Sequence, residues 1–207
     1  MLISTVAQPL LHNDARALGL RGTAIQHTIR LLRERPVQML SLGPVADSVG
    51  VSLFQLKEVF PSWMVLLLDA VQDWNGRRLS AAGVIAQTDG AAAFLRAMVA
   101  ANIAEPALSR ALVGAVTACT TPAHPLAEVV QHEWVWFHAV VERALVADMA
   151  TGRAPHTMDP ARGAEQLIAV YDGLQLQAML RPEMDLLEAY DLAVAQLAVG
   201  WATSHSL

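Results

Sequence analysis

The chain of 207 residues contains a single cysteine, Cys119, which excludes a disulfide framework and a thiolate metal cluster. Aromatic residues make up only 5% of it and charged residues only 16%. No glycine-rich phosphate loop, dinucleotide fingerprint, nucleophile elbow or His-x-x-x-His pair occurs. His132 and His138 stand six apart and off a common helical face, so no metal pair is expected. Neither a catalytic site, a cofactor nor a metal is therefore expected. Long hydrophobic runs are missing too. Trp63–Leu68 falls far short of the roughly 20 residues of a membrane span, and Met1–Leu11 has no positively charged start. A cytoplasmic protein with no membrane partner is expected.

What is present is apolar and helix-forming. Hydrophobic residues reach 54%, with alanine and leucine abundant, which excludes a disordered chain and points to an all-α fold. The net charge of −5 excludes a generally basic nucleic-acid coat, yet it is unevenly spread. Residues 1–60 carry +2 and residues 61–207 carry −7. Lys57 is the sole lysine among fourteen basic residues. A small cationic module on a larger acidic body is one reading of that asymmetry.

Residues 1–20 show little periodicity and read as an arm. Helical spacing then predicts helices over Thr23–Arg35, Ser41–Gly50, Leu53–Val59 and Trp63 to about Ala82. Further helices are predicted over Ala91–Ala104, Ala107–Cys119, Leu126–Met149, Asp159–Leu180 and Glu183–Ala202. Gly50-Val51-Ser52 between two short helices is a helix-turn-helix pattern. Gly50 lies where the turn needs positive φ, Ser52 can cap the second helix, and Val45, Ala46, Val51 and Leu56 can form the small core.

The stretch from Thr23 to Leu68 resembles the DNA-binding domain of TetR-type transcriptional regulators. Leu31-Leu32, Ser41-Leu42, Val45-Ala46, Val49-Gly50-Val51-Ser52, Leu56, Phe60-Pro61-Ser62 and Leu66-Leu67 carry it, and Tyr171-Asp172-Gly173-Leu174 is similar to a sequence often seen in the penultimate helix. The resemblance implies about nine helices in two parts. A helix-turn-helix domain would span 21–68, with the fourth helix continuing to about 83 as a connector. A ligand-binding and dimerisation domain would fill 84–207. It implies a ligand-responsive regulator, a repressor released from a palindromic double-stranded operator by a small apolar effector. The DNA-facing candidates are Arg21, Ser41, Ser52, Leu53, Gln55, Lys57 and Ser62. The pattern is broken at four positions. Phe54 stands for a small glycine, Lys57 for a tyrosine, Val59 for a histidine and Trp63 for a lysine. Phe54 is read as packing against Met64 and Leu67 rather than touching a thymine methyl. These departures motivate an alternative: a TetR-shaped protein with a decayed head, acting as a small-molecule-binding or protein-interaction module.

Trp134, Phe137, His138, Val141 and Leu145 form one stripe on the long helix. The resemblance places that helix against a ligand cavity, which makes Phe94, Met98, Trp134, Phe137, His138, Tyr171 and Gln175 the candidate effector residues. The homodimer candidates are Leu167, Leu174 and Ala178 on the penultimate helix and Leu186, Tyr190, Leu197 and Trp201 on the last. Leu187, Leu192, Val199 and Ala202 lie off that stripe, so the last helix is apolar on more than one side.

Overall fold

The computed structural model describes residues 15–203, and among them every regular element is helical. Nine α-helices follow in chain order: α1 Ala15–Glu34, α2 Leu42–Val49, α3 Leu53–Val59, α4 Trp63–Thr88, α5 Ala91–Ala104, α6 Pro106–Ala118, α7 Ala127–Ala150, α8 Pro160–Leu180 and α9 Leu186–Thr203. A single 3-10 turn, Val37–Met39, joins α1 to α2. The fold is all-α. No single described helix is long and apolar enough to cross a membrane.

Helix ends follow local chemistry where that chemistry is strong. Asp159 accepts from the N–H groups of Ala161 and Arg162 and Pro160 fills the first position, so α8 starts where the sequence predicts. Three ends differ. α1 begins at Ala15, inside the expected arm, although Gly19 and Gly22 interrupt its pattern; the rest of the arm lies outside the described residues. α4 runs through Gly76 and Gly83 to Thr88 and stops only at Gly90, whose φ is 93°. α9 starts at Leu186, because Asp185 accepts from the Glu188 N–H and a turn occupies the residues after Pro182.

The chain divides into two compact units that are not contiguous in sequence. The first takes the residues up to Arg77 together with Glu105–Gln131. Its core joins Ile29 and Leu32 of α1, Val45 and Ala46 of α2, Leu56 of α3, Phe60, and Leu66 and Val71 of α4. Leu108, Ala111, Ala115 and Cys119 complete it. A split near residue 84 assigns α6 to the second part; instead its apolar face closes the core of the first. Burial raises the Cys119 thiol pKa, and the residue fills space.

The second unit takes Arg78–Ala104 and the described residues from His132 on. Phe94, Leu95, Met98 and Val99 of α5 pack with Val141 and Leu145 of α7, Leu167, Ile168 and Tyr171 of α8, and Leu186 and Tyr190 of α9. Polar ties fix the seams. The Tyr190 hydroxyl donates to the Ala92 carbonyl at 2.9 Å, and Arg96 grips Asp191 through two bonds of 2.7 and 2.9 Å. The Asp148 carboxylate is buried, accepts from the Ala91 N–H at 2.9 Å and from Arg153 at 2.7 Å, and so anchors the start of α5 to α7.

Candidate nucleic-acid interface and aromatic cluster

In the first unit, α2 and α3 form the helix-turn-helix. Gly50 takes a left-handed φ of 80° and closes α2 by donating to the carbonyls of Ala46 and Asp47. Ser52 then opens α3 with a reciprocal cap. Its Oγ accepts from the Gln55 N–H at 3.2 Å, while Gln55 Oε1 accepts from the Ser52 N–H at 3.0 Å and from its hydroxyl at 3.1 Å. Of the four small-core residues, Val45, Ala46 and Leu56 are buried beneath and Val51 is half-buried against them.

The DNA-facing candidates fall into different environments. Lys57 and Leu53 are exposed on α3, and Glu58 is exposed beside them. Ser41 is exposed at the start of α2 and its side chain makes no cap bond. Gln55 is half-buried, with its side-chain carbonyl committed to the cap. Ser62 Oγ accepts from the Val65 N–H at 3.3 Å and so caps α4. Arg21 does not point outward. It pairs with Asp69, and its guanidinium lies 4.9 Å from the centre of the Phe60 ring. Burial nevertheless pushes the Asp69 carboxyl above its usual range, although Arg21 pulls it down. Phe54 does not pack against Met64 and Leu67. It is 71% exposed, while Leu67 is buried, because α3 turns its Leu56 side inward and its residue-54 side out.

The cationic balance of residues 1–60 is also largely spent inside this unit. Arg33 bonds Glu105 at 2.5 and 3.1 Å, and this bond holds the Glu105 carboxyl below its usual range. Arg30 donates to Ser48 Oγ at 2.9 Å. Acids contributed from beyond residue 60 thus neutralise arginines that the sequence count leaves in surplus.

In the second unit, Phe137 of α7 is the hub of an aromatic cluster. Its ring centre lies 6.3 Å from Phe94, 6.2 Å from Trp134 and 6.1 Å from Tyr171, all in tilted pairs. Phe94, Met98 and Tyr171 are buried, whereas Trp134 is 46% exposed at the rim. Beside the rings runs a buried polar chain in which Tyr171 and Gln175 are sequence candidates and Arg78 and Asn102 are not. Arg78 donates to Asn102 Oδ1, and Asn102 Nδ2 donates to Gln175 Oε1 and, at 3.1 Å, to the Tyr171 hydroxyl. The signal was there: Asn102 interrupts the apolar face of α5 four residues after Met98. His138 stays outside this chain, half-buried, with Glu142 3.9 Å away. Asp172 is half-buried on α8 with no ion-pair partner among the described residues, and desolvation pushes its carboxyl up to about 6. No group of three His, Cys, Asp or Glu residues among the described ones could hold a metal ion.

The proposed interface residues divide as well. Leu167, Leu186 and Tyr190 lie in the core of their own unit and are not available to a second copy. Leu174, Ala178, Leu197 and Trp201 are half-buried against that core, and the Trp201 indole donates to Gln166 across the α8–α9 seam. The stripe that the sequence offers for pairing is thus the internal seam. The outward residues are Leu176 and Leu180 on α8 and Leu192 and Val199 on α9.

No sequence model of a known family matches the chain, and no curated protein matches it by sequence. Solved structures do match. A TetR transcription regulator from Haloarcula marismortui superimposes with a TM-score of 0.72 at 18% identity, covering 89% of this chain and 98% of that one. The fatty acid degradation regulator FadR from Bacillus halodurans gives 0.64 at 13% identity over 91% and 97%. SmeT, solved as a complex with triclosan, gives 0.65 at 19% identity over 86% and 91%. The chain has the fold of the TetR-type regulators.

Proposed function

Starting from that fold, we propose that the chain is a ligand-responsive DNA-binding transcriptional regulator, a repressor acting as a homodimer on a palindromic operator. The observation that carries the proposal is the helix-turn-helix itself: Gly50 at positive φ, the reciprocal Ser52–Gln55 cap, and α3 with Leu53, Phe54 and Lys57 turned outward. Lys57 is the phosphate contact, Ser52 lies exposed five residues before it, and Ser41 lies exposed at the start of α2.

The effector is a small apolar molecule that meets Trp134 and Phe137 first. Phe94, Met98 and Tyr171 back those rings, and Gln175 and His138 supply polarity. That one neighbour of this fold is a complex with triclosan supports an effector with ring character. The effector releases the operator only by its differential affinity for the two states of the dimer. The second reading, a binding module with a decayed head, draws support from Arg21 and Arg33, whose charges are spent on Asp69 and Glu105.

Mobility shifts on the DNA flanking the coding region, across a salt series, test the choice. A regulator binds one segment preferentially, and its affinity falls linearly with salt on logarithmic axes. Binding without salt slope or sequence preference overturns the regulator and leaves the module.

A further inference from the structure

Phe54 is the largest apolar group on the outer surface of α3, and nothing in its own unit covers it. It is 71% exposed and Leu53 beside it 42%, while Leu56, two residues on, is fully buried. Single exposed apolar residues are ordinary. Two in succession on the helix proposed to enter a groove are a different matter, because the polar side chains that flank them, Ser52 and Gln55, are already engaged. Ser52 and Gln55 bond each other across the cap, so Gln55 Oε1 has two hydrogens to accept before any base arrives. Lys57 and Glu58 stand three and four positions after Phe54 and share its face. That face therefore presents one cation for a phosphate, one carboxylate, and a broad apolar surface at Phe54.

In the major groove, three of the four bases show polar edges alone, and thymine adds its C5 methyl group, an apolar feature that Phe can touch. We infer that Phe54 is a specificity-determining residue that reads thymine methyls in each operator half-site, apolar contact replacing hydrogen-bonded readout at that step. The inference rests on the DNA-binding reading and goes beyond it by naming the base and the group read. The occupant is nucleic acid because α3 is the second helix of the helix-turn-helix, and Lys57 on the same face complements phosphate while Phe54 meets the base edge.

The test compares thymine with uracil, which pairs identically with adenine and lacks only the methyl. The full-length protein selects from a pool of duplexes with a randomised core, and the winning duplex is remade with uracil throughout. Wild-type protein is expected to lose about fourfold in affinity per contacted methyl. Restoring thymine one position at a time should recover the loss at the same position in both half-sites. Phe54→Ala should bind the thymine and uracil duplexes alike, and Phe54→Leu should keep part of the difference. Because the side chain is exposed, both variants should melt like wild type. Selection of a duplex that wild type then binds equally with thymine or uracil overturns the inference and leaves DNA binding standing. A methyl preference that persists undiminished in Phe54→Ala assigns the contact elsewhere and also overturns it. Failure to enrich any duplex overturns the DNA-binding reading, and the inference falls with it.

Discussion

At Gly90 two requirements coincide. Its φ of 93° is disfavoured for any other residue, and a Cβ there would sit 2.3 Å from an Asp148 oxygen. Gly90→Ala should therefore displace the carboxylate that holds the Ala91 N–H and cost about 3 kcal/mol or more. Asp148→Ala, which strands the same N–H in a buried place, should cost about 2 kcal/mol. Denaturant midpoints measure both. If Gly90→Ala unfolds at the wild-type midpoint, the anchoring role is wrong. Asp172 works against the fold. Its carboxyl is raised to about 6 by desolvation, so between its ordinary value near 4 and that value the native state holds a proton that the unfolded chain has released. Stability attributable to this group is greatest below pH 4, declines through that window and stays reduced above it. Asp172→Asn removes the charge, so the variant should gain on the order of 2 kcal/mol over wild type at pH 7.5 and almost nothing at pH 4. An equal gain at both pH values would show that packing, not ionisation, is responsible.

Helices whose ends carry a dedicated chemical signal were legible. α3, α5 and α8 begin where Ser52, Gly90 and Asp159-Pro160 place a cap or break, and those residues act locally, within the reach of a sequence window. α1 and α4 extend further than their patterns suggest. On α4 the burial of Leu79, Ala82 and Ala86 outweighs the propensity cost of Gly76 and Gly83, while the early turns of α1 are held by the Arg21–Asp69 pair, and no local window contains either contact. The aromatic stripe of α7 was legible for the same reason as the caps, since 3.6-residue periodicity brings Trp134, Phe137 and Val141 to one side. Its partners were less so. Arg78 and Asn102 lie twenty-four residues apart, and their bond exists only once α4 and α5 meet. At the turn, the reciprocal cap makes Ser52 and Gln55 one device. Ser52→Ala should lower stability by about 1 kcal/mol, and adding Gln55→Ala should cost less than the sum of the two single changes. Thermal melts of the four-member cycle decide this, and strict additivity would mean the two bonds act independently.

For the whole molecule, burial separates residues that hold a subunit together from those able to join two. The sequence shows that α9 is apolar on more than one side, but periodicity does not say which side faces in. The structure turns Leu186 and Tyr190 inward and leaves Leu192 and Val199 out, as it leaves Leu176 and Leu180 out on α8. These four, at spacings of four on α8 and seven on α9, lie along one side of each helix. Leu180 at 77% exposure is too large and too apolar to be stable in water at no cost. The proposed homodimer contact is therefore this outer face and not the seam residues, and on it two helices and their copies would form a two-fold four-helix interface. The two sets of residues respond differently to charge. Leu180→Glu combined with Leu192→Glu should give a monomer in sedimentation with unchanged helical circular dichroism, and a protein that no longer bridges two half-sites. Tyr190→Glu should instead abolish the helical signal, because it places a carboxylate in the core beside Phe94 and Leu186. A wild-type protein that sediments as a monomer at micromolar concentration would remove the interface, and so would a Leu180→Glu, Leu192→Glu protein that remains dimeric.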